Sequence, residues 1–261
     1  MIGARELCLR AGERIILSDL DFHISAGEFV AVLGPNGVGK TTLLRAIAGM
    51  HSPDSGTLLL NGREIRGVTA AERAKTIAFM QSEEILTEAM SVREVIATGR
   101  YPHHRWYQWH ENQQDDEIVD RALAAVGMET FGRRPFATLS SGERQRVWLA
   151  LGLAQEASLL LLDEPTSHLD LRVAHEMLHL LRTQARAGKA VVSVLHDVNE
   201  AAEFADRILL LGCERLLAID RPEAVLRSGL LDLAYGTPME LMRAPSGALR
   251  AFPSFATGRS E

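Results

Sequence analysis

Apolar residues form several short runs along this chain, and the spacing between the runs predicts its fold class. Each run has the length of a buried strand, and the runs occupy residues 29–33, 77–80, 159–162, 190–195 and 207–211. Amphipathic stretches, at about residues 40–48 and 170–187 among others, separate these runs and are typical of helices. Because strands that alternate with helices pair in parallel, the pattern predicts an α/β protein with a mainly parallel core sheet.

The segments outside this alternation predict further parts of the fold. Residues 1–33 contain short strands, which we expect to form an N-terminal antiparallel β subdomain, and residues 57–61 add a strand closed by an Asn-Gly turn. From about residue 83 to 156 the pattern is helical, which predicts an inserted helical subdomain. Residues 236–261 are rich in Gly, Pro and Ser and are expected to be an irregular extension.

Helix starts are marked by local capping patterns. Thr69 with Glu72, and Ser91 with Glu94, have the spacing of capping boxes. A third helix is predicted over residues 115–126 from its helical spacing of apolar residues.

A glycine-rich segment after the first apolar run fits the phosphate-binding pattern G-x-x-x-x-G-K-[ST]. Backbone N–H groups of such a turn point into a concavity for phosphate oxygens, and the next helix adds partial positive charge. Lys40 is expected to reach the β- and γ-phosphates of a nucleoside triphosphate, and the Thr41 hydroxyl is expected to bind Mg²⁺. The candidate nucleotide-binding residues are Gly34, Pro35, Asn36, Gly37, Val38, Gly39, Lys40, Thr41 and Thr42.

Two adjacent carboxylates follow the apolar run at 159–162 and provide the acidic site that a phosphate loop with Mg²⁺ requires. They belong to Asp163 and Glu164. Because open α/β sheets bind ligands at the carboxyl ends of their strands, we expect both side chains to face the phosphates. Asp163 is expected to hold Mg²⁺, and Glu164 to polarise the attacking water as a general base.

Composition narrows the class of protein. The chain has 261 residues, enough for one large α/β domain with an inserted subdomain, and a formal net charge of −6, which argues against general nucleic-acid binding. Two cysteines far apart in sequence give neither a disulfide framework nor a metal pair, which favours a reducing cytosol. No signal peptide is visible, and no apolar run approaches the roughly 20 residues of a membrane-spanning helix.

Further motifs, which follow one another in the same order, resemble those of the nucleotide-binding subunit of ABC (ATP-binding cassette) transporters. The resemblance covers roughly residues 5–235, and we expect residues 1–235 to form one ATPase domain. The segment LSSGER at 139–144 is similar to the signature of that family. The resemblance implies that Ser140 and Gly142 contact the γ-phosphate of an ATP held by the phosphate loop of a second copy.

Three single residues match other motifs of the family. Gln81 matches the Q-loop residue, which implies that it senses Mg²⁺ and the attacking water and links to the membrane partner. Asp170 is the last residue of a segment that matches the D-loop, which implies that it belongs to the nucleotide-binding residues. His196 matches the switch histidine, which contacts the γ-phosphate. The resemblance thus implies Glu164, His196 and Gln81 as catalytic residues, and Thr41, Gln81 and Asp163 as Mg²⁺ ligands.

The resemblance also implies a mechanism that needs two copies of the chain. Two ATP molecules lie between the phosphate loop of one copy and the signature of the other, and closure of this dimer drives the membrane subunits into a new conformation. Hydrolysis then reopens the pair, so an isolated monomer is expected to be nearly inactive.

The sequence departs from the family pattern at three positions. Ser141 and Glu143 stand in the signature where glycine and glutamine are usual, and Ser141 is expected to narrow the freedom of the backbone. Ala11 occupies the place of the aromatic residue that usually stacks on adenine. We therefore expect ATP to be held mainly by its phosphates, with weaker discrimination against GTP.

Two short segments are similar to one branch of the family. GRYPH at 99–103 and TSHLD at 166–170 resemble ATPases of type II importers for iron–siderophore complexes, haem and cobalamin. Such importers combine two cassettes, two transmembrane permease subunits and an extracytoplasmic solute-binding protein. The resemblance therefore implies a peripheral protein at the cytoplasmic face of the inner membrane, with an exporter ATPase as the alternative. A soluble ABC protein acting on ribosomes or DNA fits less well, because the chain is acidic and has one phosphate loop.

The segment HHRWYQWH at 103–110 leaves three interpretations open. Its histidines, without i, i+4 spacing and a fourth donor, suggest a metal site only weakly. Packing inside the helical subdomain is the simplest interpretation, and a docking surface is the third, since its side chains are of types enriched at interfaces. The residues concerned are His103, His104, Arg105, Trp106, Tyr107, Trp109 and His110.

Overall fold

The structure is a computed structural model that describes residues 1–81, 90–104, 113–167 and 169–254. Its strands are β1 (Ile2–Ala11), β2 (Arg14–Ile24), β3 (Phe29–Leu33), β4 (Ser55–Leu60), β5 (Arg63–Glu64), β6 (Ile77–Met80), β7 (Leu159–Asp163), β8 (Ala190–Val194), β9 (Arg207–Gly212), β10 (Arg215–Asp220), β11 (Met239–Arg243) and β12 (Leu249–Pro253). Its helices are α1 (Lys40–Ile47), α2 (Ala70–Thr76), α3 (Val92–Ala97), α4 (Gln113–Ala125), α5 (Ser141–Ala154), α6 (Leu171–Arg186), α7 (Val198–Phe204), α8 (Pro222–Arg227) and α9 (Leu230–Tyr235).

One sheet contains the first ten strands in the order β5-β4-β1-β2-β10-β9-β3-β8-β7-β6. Strands β9, β3, β8, β7 and β6 pair in parallel, whereas β1, β2, β4 and β5 pair antiparallel. The predicted α/β class, the parallel core and the antiparallel N-terminal part are therefore confirmed. The strand predicted at 57–61 ends one residue earlier, because Asn61 and Gly62 form the turn with positive φ.

Alternate residues of the parallel strands face two separate apolar layers. In β3, Phe29, Ala31 and Leu33 belong to one layer, and Val30 and Val32 belong to the other. All five side chains are fully buried, and burying each large one contributes about 1.5–3 kcal/mol. Because both faces of these strands are covered, charged side chains leave this part of the sheet at the strand ends.

The helices α3, α4 and α5 lie between β6 and β7 in the chain and pack on one another, as the inserted subdomain requires. Both predicted capping boxes form, at Thr69 with Glu72 and at Ser91 with Glu94. The helix predicted at 115–126 is α4. The exact subdomain boundaries, at about residues 83 and 156, stay a prediction.

Arg100 holds the helical subdomain together from inside. Its guanidinium donates to Asp115 at 2.7 Å, to the carbonyl oxygen of Ala154 at 2.8 Å and to Glu156 at 2.9 Å. A buried charge is tolerated only with such partners, since leaving it unpaired would be strongly destabilising. The segment GRYPH, which resembles one importer branch, therefore has a packing role of its own.

The C-terminal segment differs from the prediction. Residues 236–261 were expected to be irregular, but β11 and β12 pair as an antiparallel hairpin, and residues 255–261 lie outside the described part. The side chain of Asn199 on α7 bonds both backbone groups of Ala251, donating at 3.1 Å and accepting at 2.9 Å. Met242 and Phe252 are exposed although they are apolar, so the apolar residues of these strands do not alternate regularly with polar ones. The sequence pattern therefore did not predict the two strands.

Among the described residues, no helix combines the length and the apolar character needed to cross a bilayer.

Gly99 allows the close approach of the subdomain segments. A Cβ added there would lie 2.5 Å from the carbonyl oxygen of Leu151 on α5. We expect Gly99→Ala to lower the free energy of unfolding by about 1–3 kcal/mol, the usual cost of overpacking. Chemical denaturation measures this change, with Gly67→Ala as the matched control because a Cβ there meets nothing within 4 Å. Equal stability of the two variants would contradict the close contact.

Candidate functional site

The phosphate loop connects the buried strand β3 to α1, where the sequence predicts it. Gly34, Gly37 and Gly39 have φ values of 148°, 77° and 109°, which residues with side chains rarely adopt. Gly39 is also fixed by packing, because an added Cβ would lie 2.7 Å from Cγ2 of Ile16. Pro35, Asn36 and Val38 complete the loop, and Thr42 lies in the first turn of α1.

Lys40 begins α1 and points back into the loop. It is 5% exposed, and its Nζ donates to the carbonyl oxygens of Gly34 at 2.8 Å and Pro35 at 3.1 Å. Burial lowers the pKa of this ammonium group, while the nearby charges of Glu164 and Asp163 act in the opposite direction. A buried cation held by two carbonyl groups is placed to gain from an anionic phosphate.

Asp163 ends β7 beside the phosphate loop. Its carboxylate is hydrogen-bonded to the side chain of Thr41, and burial raises its pKa against the effect of that bond. Hydroxyl and carboxylate oxygens are the hard ligands that Mg²⁺ prefers. The structure therefore brings together two of the three residues predicted to hold the metal, and their chemistry fits Mg²⁺.

The third predicted metal residue, Gln81, directly follows β6. In the parallel pair of β6 and β7, Met80 is opposite Leu162, so Gln81 leaves the sheet at the same edge as Asp163. Its side chain is half-buried. This register is the geometry that the prediction for Gln81 requires.

Glu164 is the most constrained carboxylate of the group. Its φ of 55° is strained for a residue with a side chain. Its Oε1 lies 2.8 Å from Nε2 of His196, and its Oε2 accepts a hydrogen bond from the Ser167 hydroxyl at 3.2 Å. Burial raises the pKa of Glu164, but the hydrogen bonds of His196 and Ser167 and the charges of His196 and Lys40 lower it, and the net pKa lies below its ordinary value. At neutral pH the carboxylate is therefore ionised and can accept a proton.

Ser140 caps α5 rather than contacting the phosphate loop of its own chain. Its Oγ accepts the backbone N–H of Glu143 at 3.3 Å, and its own N–H donates to the Glu143 carboxylate at 2.8 Å. The Glu143 carboxylate accepts hydrogen bonds from both the backbone N–H and the hydroxyl of Ser140, and these two bonds lower its pKa. Glutamate in place of the more usual glutamine therefore completes a capping box and places a negative charge at a helix start, where it is favourable.

The two small residues after Ser140 lie in the first turn of α5. Ser141 is the first residue of α5 and is not among the described residues with positive φ, so the backbone conformation at this position does not require glycine. At Gly142 an added Cβ would make only ordinary contacts, at 3.5 Å to Val173 and 3.7 Å to Leu169. The packing of this chain therefore has room for a side chain at Gly142.

Asp170 caps the next helix in the same way. Its Oδ1 accepts the backbone N–H of Val173 at 3.0 Å and so starts α6. This capping bond explains the residue in one chain, whereas its contact with nucleotide stays a prediction. His168, within the same motif, lies outside the described residues.

Ala11 lies at the tip of the hairpin formed by β1 and β2. It is exposed and pairs with Arg14, and Gly12 between them has a φ of 62°. Because Ile16 of the same hairpin packs on Gly39, the hairpin stands beside the phosphate loop. The place that the resemblance gives to the base is thus next to the phosphate site and carries a small aliphatic side chain.

Two contacts in the site were missed from the sequence. Ser167 bonds Glu164, although its motif drew attention only to Asp170. Tyr235 on α9 is hydrogen-bonded to the backbone of Gly34, and burial raises its pKa against that bond. No sequence pattern marks Tyr235, because the contact joins residues far apart in the chain.

Most of the segment 103–110 lies outside the described residues, including Arg105, Trp106, Tyr107, Trp109 and His110. His103 lies 2.9 Å from the carbonyl oxygen of Gln155, and His104 lies 2.8 Å from the carboxylate of Asp115. Both contacts are within the helical subdomain, as the packing interpretation expects. Where the structure describes the chain, no three His, Cys, Asp or Glu side chains are grouped to hold a metal.

Comparisons with known proteins agree with this geometry. The model of the ABC transporter family matches residues 17–167, more than half of the chain. The hemin import ATP-binding protein HmuV of Streptomyces coelicolor is 41% identical over 254 residues, 97% of this chain and 90% of that protein. The petrobactin import ATP-binding protein FpuC of Bacillus anthracis is 36% identical, covering 93% of this chain and 89% of that protein.

Solved structures share the fold over nearly the whole chain. A metal-chelate type ABC transporter in an inward-facing conformation has a TM-score of 0.85 and 26% identity, over 98% of both chains. A dimeric ATP-binding cassette with bound ADP and phosphate has a TM-score of 0.73 and 26% identity, over 85% of this chain and 99% of the other. With matches of this extent, the chain belongs to the ABC transporter family, in which it is an ATP-binding subunit that hydrolyses ATP.

Proposed function

We propose that this chain energises a membrane importer for a metal chelate of the iron–siderophore, haem or cobalamin type. The observation that carries this proposal is the extent of likeness to import subunits, at 41% identity for a hemin import protein and 36% for a siderophore transport protein of Bacillus subtilis. The likeness to a metal-chelate type transporter structure supports the same class of cargo. The resemblance of the GRYPH and TSHLD segments to this branch is consistent with that likeness.

ATP binds with Mg²⁺ in this proposal. Lys40 exchanges its carbonyl partners in the loop for phosphate oxygens, and the glycine-rich backbone donates to the others. Thr41 and Asp163 would hold the Mg²⁺, with Gln81 at the same edge of the sheet, and the ion would supply positive charge against the phosphates. The hydrogen bond between Thr41 and Asp163 supports this role, because it places the two ligands side by side.

Hydrolysis depends on Glu164. Its lowered pKa keeps the carboxylate ionised, so it can accept a proton from the water that attacks the γ-phosphate. His196 and Ser167 hold the two carboxylate oxygens and thereby orient the base. In the ATP-bound state His196 also contacts the γ-phosphate, so the position of the general base depends on whether nucleotide is bound.

A second copy of the chain completes each ATP site. Ser140 and Gly142 at the start of α5 contact the γ-phosphate held by the other copy, and Asp170 lies at the same interface. The room beside Gly142 supports this arrangement, since the chain's own packing does not call for glycine there. The dimeric cassette with bound ADP and phosphate supports the same assembly.

The dimer acts on transmembrane permease subunits from the cytoplasmic face of the inner membrane, as a peripheral protein. ATP closes the dimer because it binds the closed state more tightly than the open state, and hydrolysis reverses that preference. An extracytoplasmic solute-binding protein delivers the chelate to the permease and is an indirect partner. In this proposal the Gln81 region receives the permease.

The importer assignment is tested by isolating the complex from membranes. We expect the tagged full-length chain to co-purify with a polytopic permease, to which a solute-binding protein then binds. Mass spectrometry identifies both, and the chelate bound by the solute-binding protein names the cargo. A permease that recruits no binding protein would favour an exporter and contradict the proposal.

The role of Glu164 is tested by Glu164→Gln, which keeps the size of the side chain and removes the proton acceptor. We expect turnover to fall by roughly 10²–10⁴-fold, with ATP still bound and the dimer trapped. Phosphate release measures turnover, and size-exclusion chromatography with ATP measures the dimer. Glu117→Gln, at an exposed position of α4, is the matched control. Wild-type turnover in Glu164→Gln would show that another group is the base.

The nature of the base site is tested by Ala11→Tyr. Restoring an aromatic ring is expected to tighten binding, because stacking a base on an aromatic side chain contributes about 1–3 kcal/mol. We expect the wild-type chain to bind ATP and GTP with similar affinity. Ala11→Leu, which adds apolar area without a π-face, is the control. If equilibrium titration finds no gain for tyrosine over leucine, the base does not lie over Ala11.

A further inference from the structure

The exposed side of α6 carries a pair of histidines that the ATPase chemistry does not use. His175 and His179 are four residues apart and therefore share one face of the helix. Both side chains are exposed, and their Nε2 atoms lie 3.2 Å apart. The two nitrogen atoms thus lie side by side at the surface.

Phe204, the last residue of α7, holds both rings in place. The centroids of His175 and His179 are 4.7 Å apart with an interplanar angle of 77°. Phe204 packs against each of them edge-on, at 4.9 Å and 79° for His175 and at 5.0 Å and 87° for His179. Because Phe204 is buried, this packing orients the imidazoles before any ligand arrives.

The separation of the nitrogens suits a shared metal ion. With Zn–N distances of about 2.0–2.1 Å, two nitrogens bound at a tetrahedral angle lie about 3.3 Å apart. We propose that His175 and His179 form a two-histidine site for a divalent first-row transition metal, which binds through both Nε2 atoms. The ion takes the place of the proton that otherwise joins the two nitrogens, and each ring then carries its proton on Nδ1.

The surroundings define the kind of site. His175-Glu176-Met-Leu-His179 has the spacing of the zinc-protease motif H-E-x-x-H. However, Glu176 accepts a hydrogen bond from Arg172 at 2.9 Å and is ion-paired with Arg146, so it is engaged away from the metal. Within the described ranges no third His, Cys, Asp or Glu side chain joins the pair. Water therefore completes the coordination, and the site binds metal without hydrolytic chemistry.

The donor atoms also set the order of affinity. Imidazole nitrogens suit Cu²⁺, Ni²⁺ and Zn²⁺ rather than Mg²⁺, so ATP-bound Mg²⁺ does not compete for this site. We expect Cu²⁺ to bind most tightly, with Ni²⁺ and Zn²⁺ weaker. A bound ion joins two turns of α6 and stabilises the folded chain by mass action.

The site is tested with the full-length, nucleotide-free chain after removal of metal. Calorimetric titration with Zn²⁺ is expected to lose one equivalent per chain in the double variant His175→Gln/His179→Gln. His23→Gln, a single exposed histidine on β2, is the matched control and is expected to keep that equivalent. An unchanged stoichiometry in the double variant would overturn the proposal, since all remaining binding would then belong to other sites.

A spectroscopic measurement separates bidentate binding from a single-histidine contact. With one equivalent of Cu²⁺, the electron paramagnetic resonance spectrum is expected to show hyperfine coupling to two imidazole nitrogens. The single variant His179→Gln is expected to reduce this to one nitrogen and to weaken binding, with circular dichroism confirming the fold. A wild-type spectrum that shows one nitrogen, or no change on substitution, would contradict the paired geometry.

Discussion

The parallel strands of the core are buried on both faces, and this burial decides where chemistry can occur. A charged side chain within β3, β7 or β8 would have to enter one of two apolar layers at a large cost in desolvation. Charged residues therefore appear only where these strands end, and the carboxyl ends of parallel strands lie at one edge. That edge receives the phosphate loop after β3, the carboxylates at the end of β7 and the histidine after β8. The active site is thus a consequence of how the sheet is covered.

Much of this arrangement can be predicted from sequence, because the deciding information is local. Continuous apolar runs predict the parallel strands. The phosphate loop can be recognised because its backbone conformation, with positive φ, is one that glycine adopts readily and other residues rarely do. The position of Asp163 and Glu164 beside the phosphate loop follows from the direction of β7, because both residues lie at its carboxyl end. Resemblance to a family then adds residues such as Gln81 and His196, whose spacing carries no chemistry by itself.

What the sequence could not show depends on contacts between distant residues. The C-terminal hairpin is held by Asn199 through backbone bonds, which leave no trace in hydropathy. Tyr235 reaches Gly34 because α9 packs on β9, which lies next to β3 in the sheet. Serine at position 141 allows fewer backbone conformations than glycine, but this has no effect here. Ser141 is the first residue of a helix, whose backbone conformation serine adopts as readily as most residues.

Glu164 shows how function and stability compete at a single position. Its left-handed backbone costs of order 1–3 kcal/mol relative to a relaxed residue, and glycine or asparagine would adopt the same conformation more cheaply. The chain nevertheless carries glutamate there, between an imidazole and a hydroxyl that hold both carboxylate oxygens. A protein engineer optimising this chain for thermal resilience alone would therefore be led to replace the side chain that we propose as the general base.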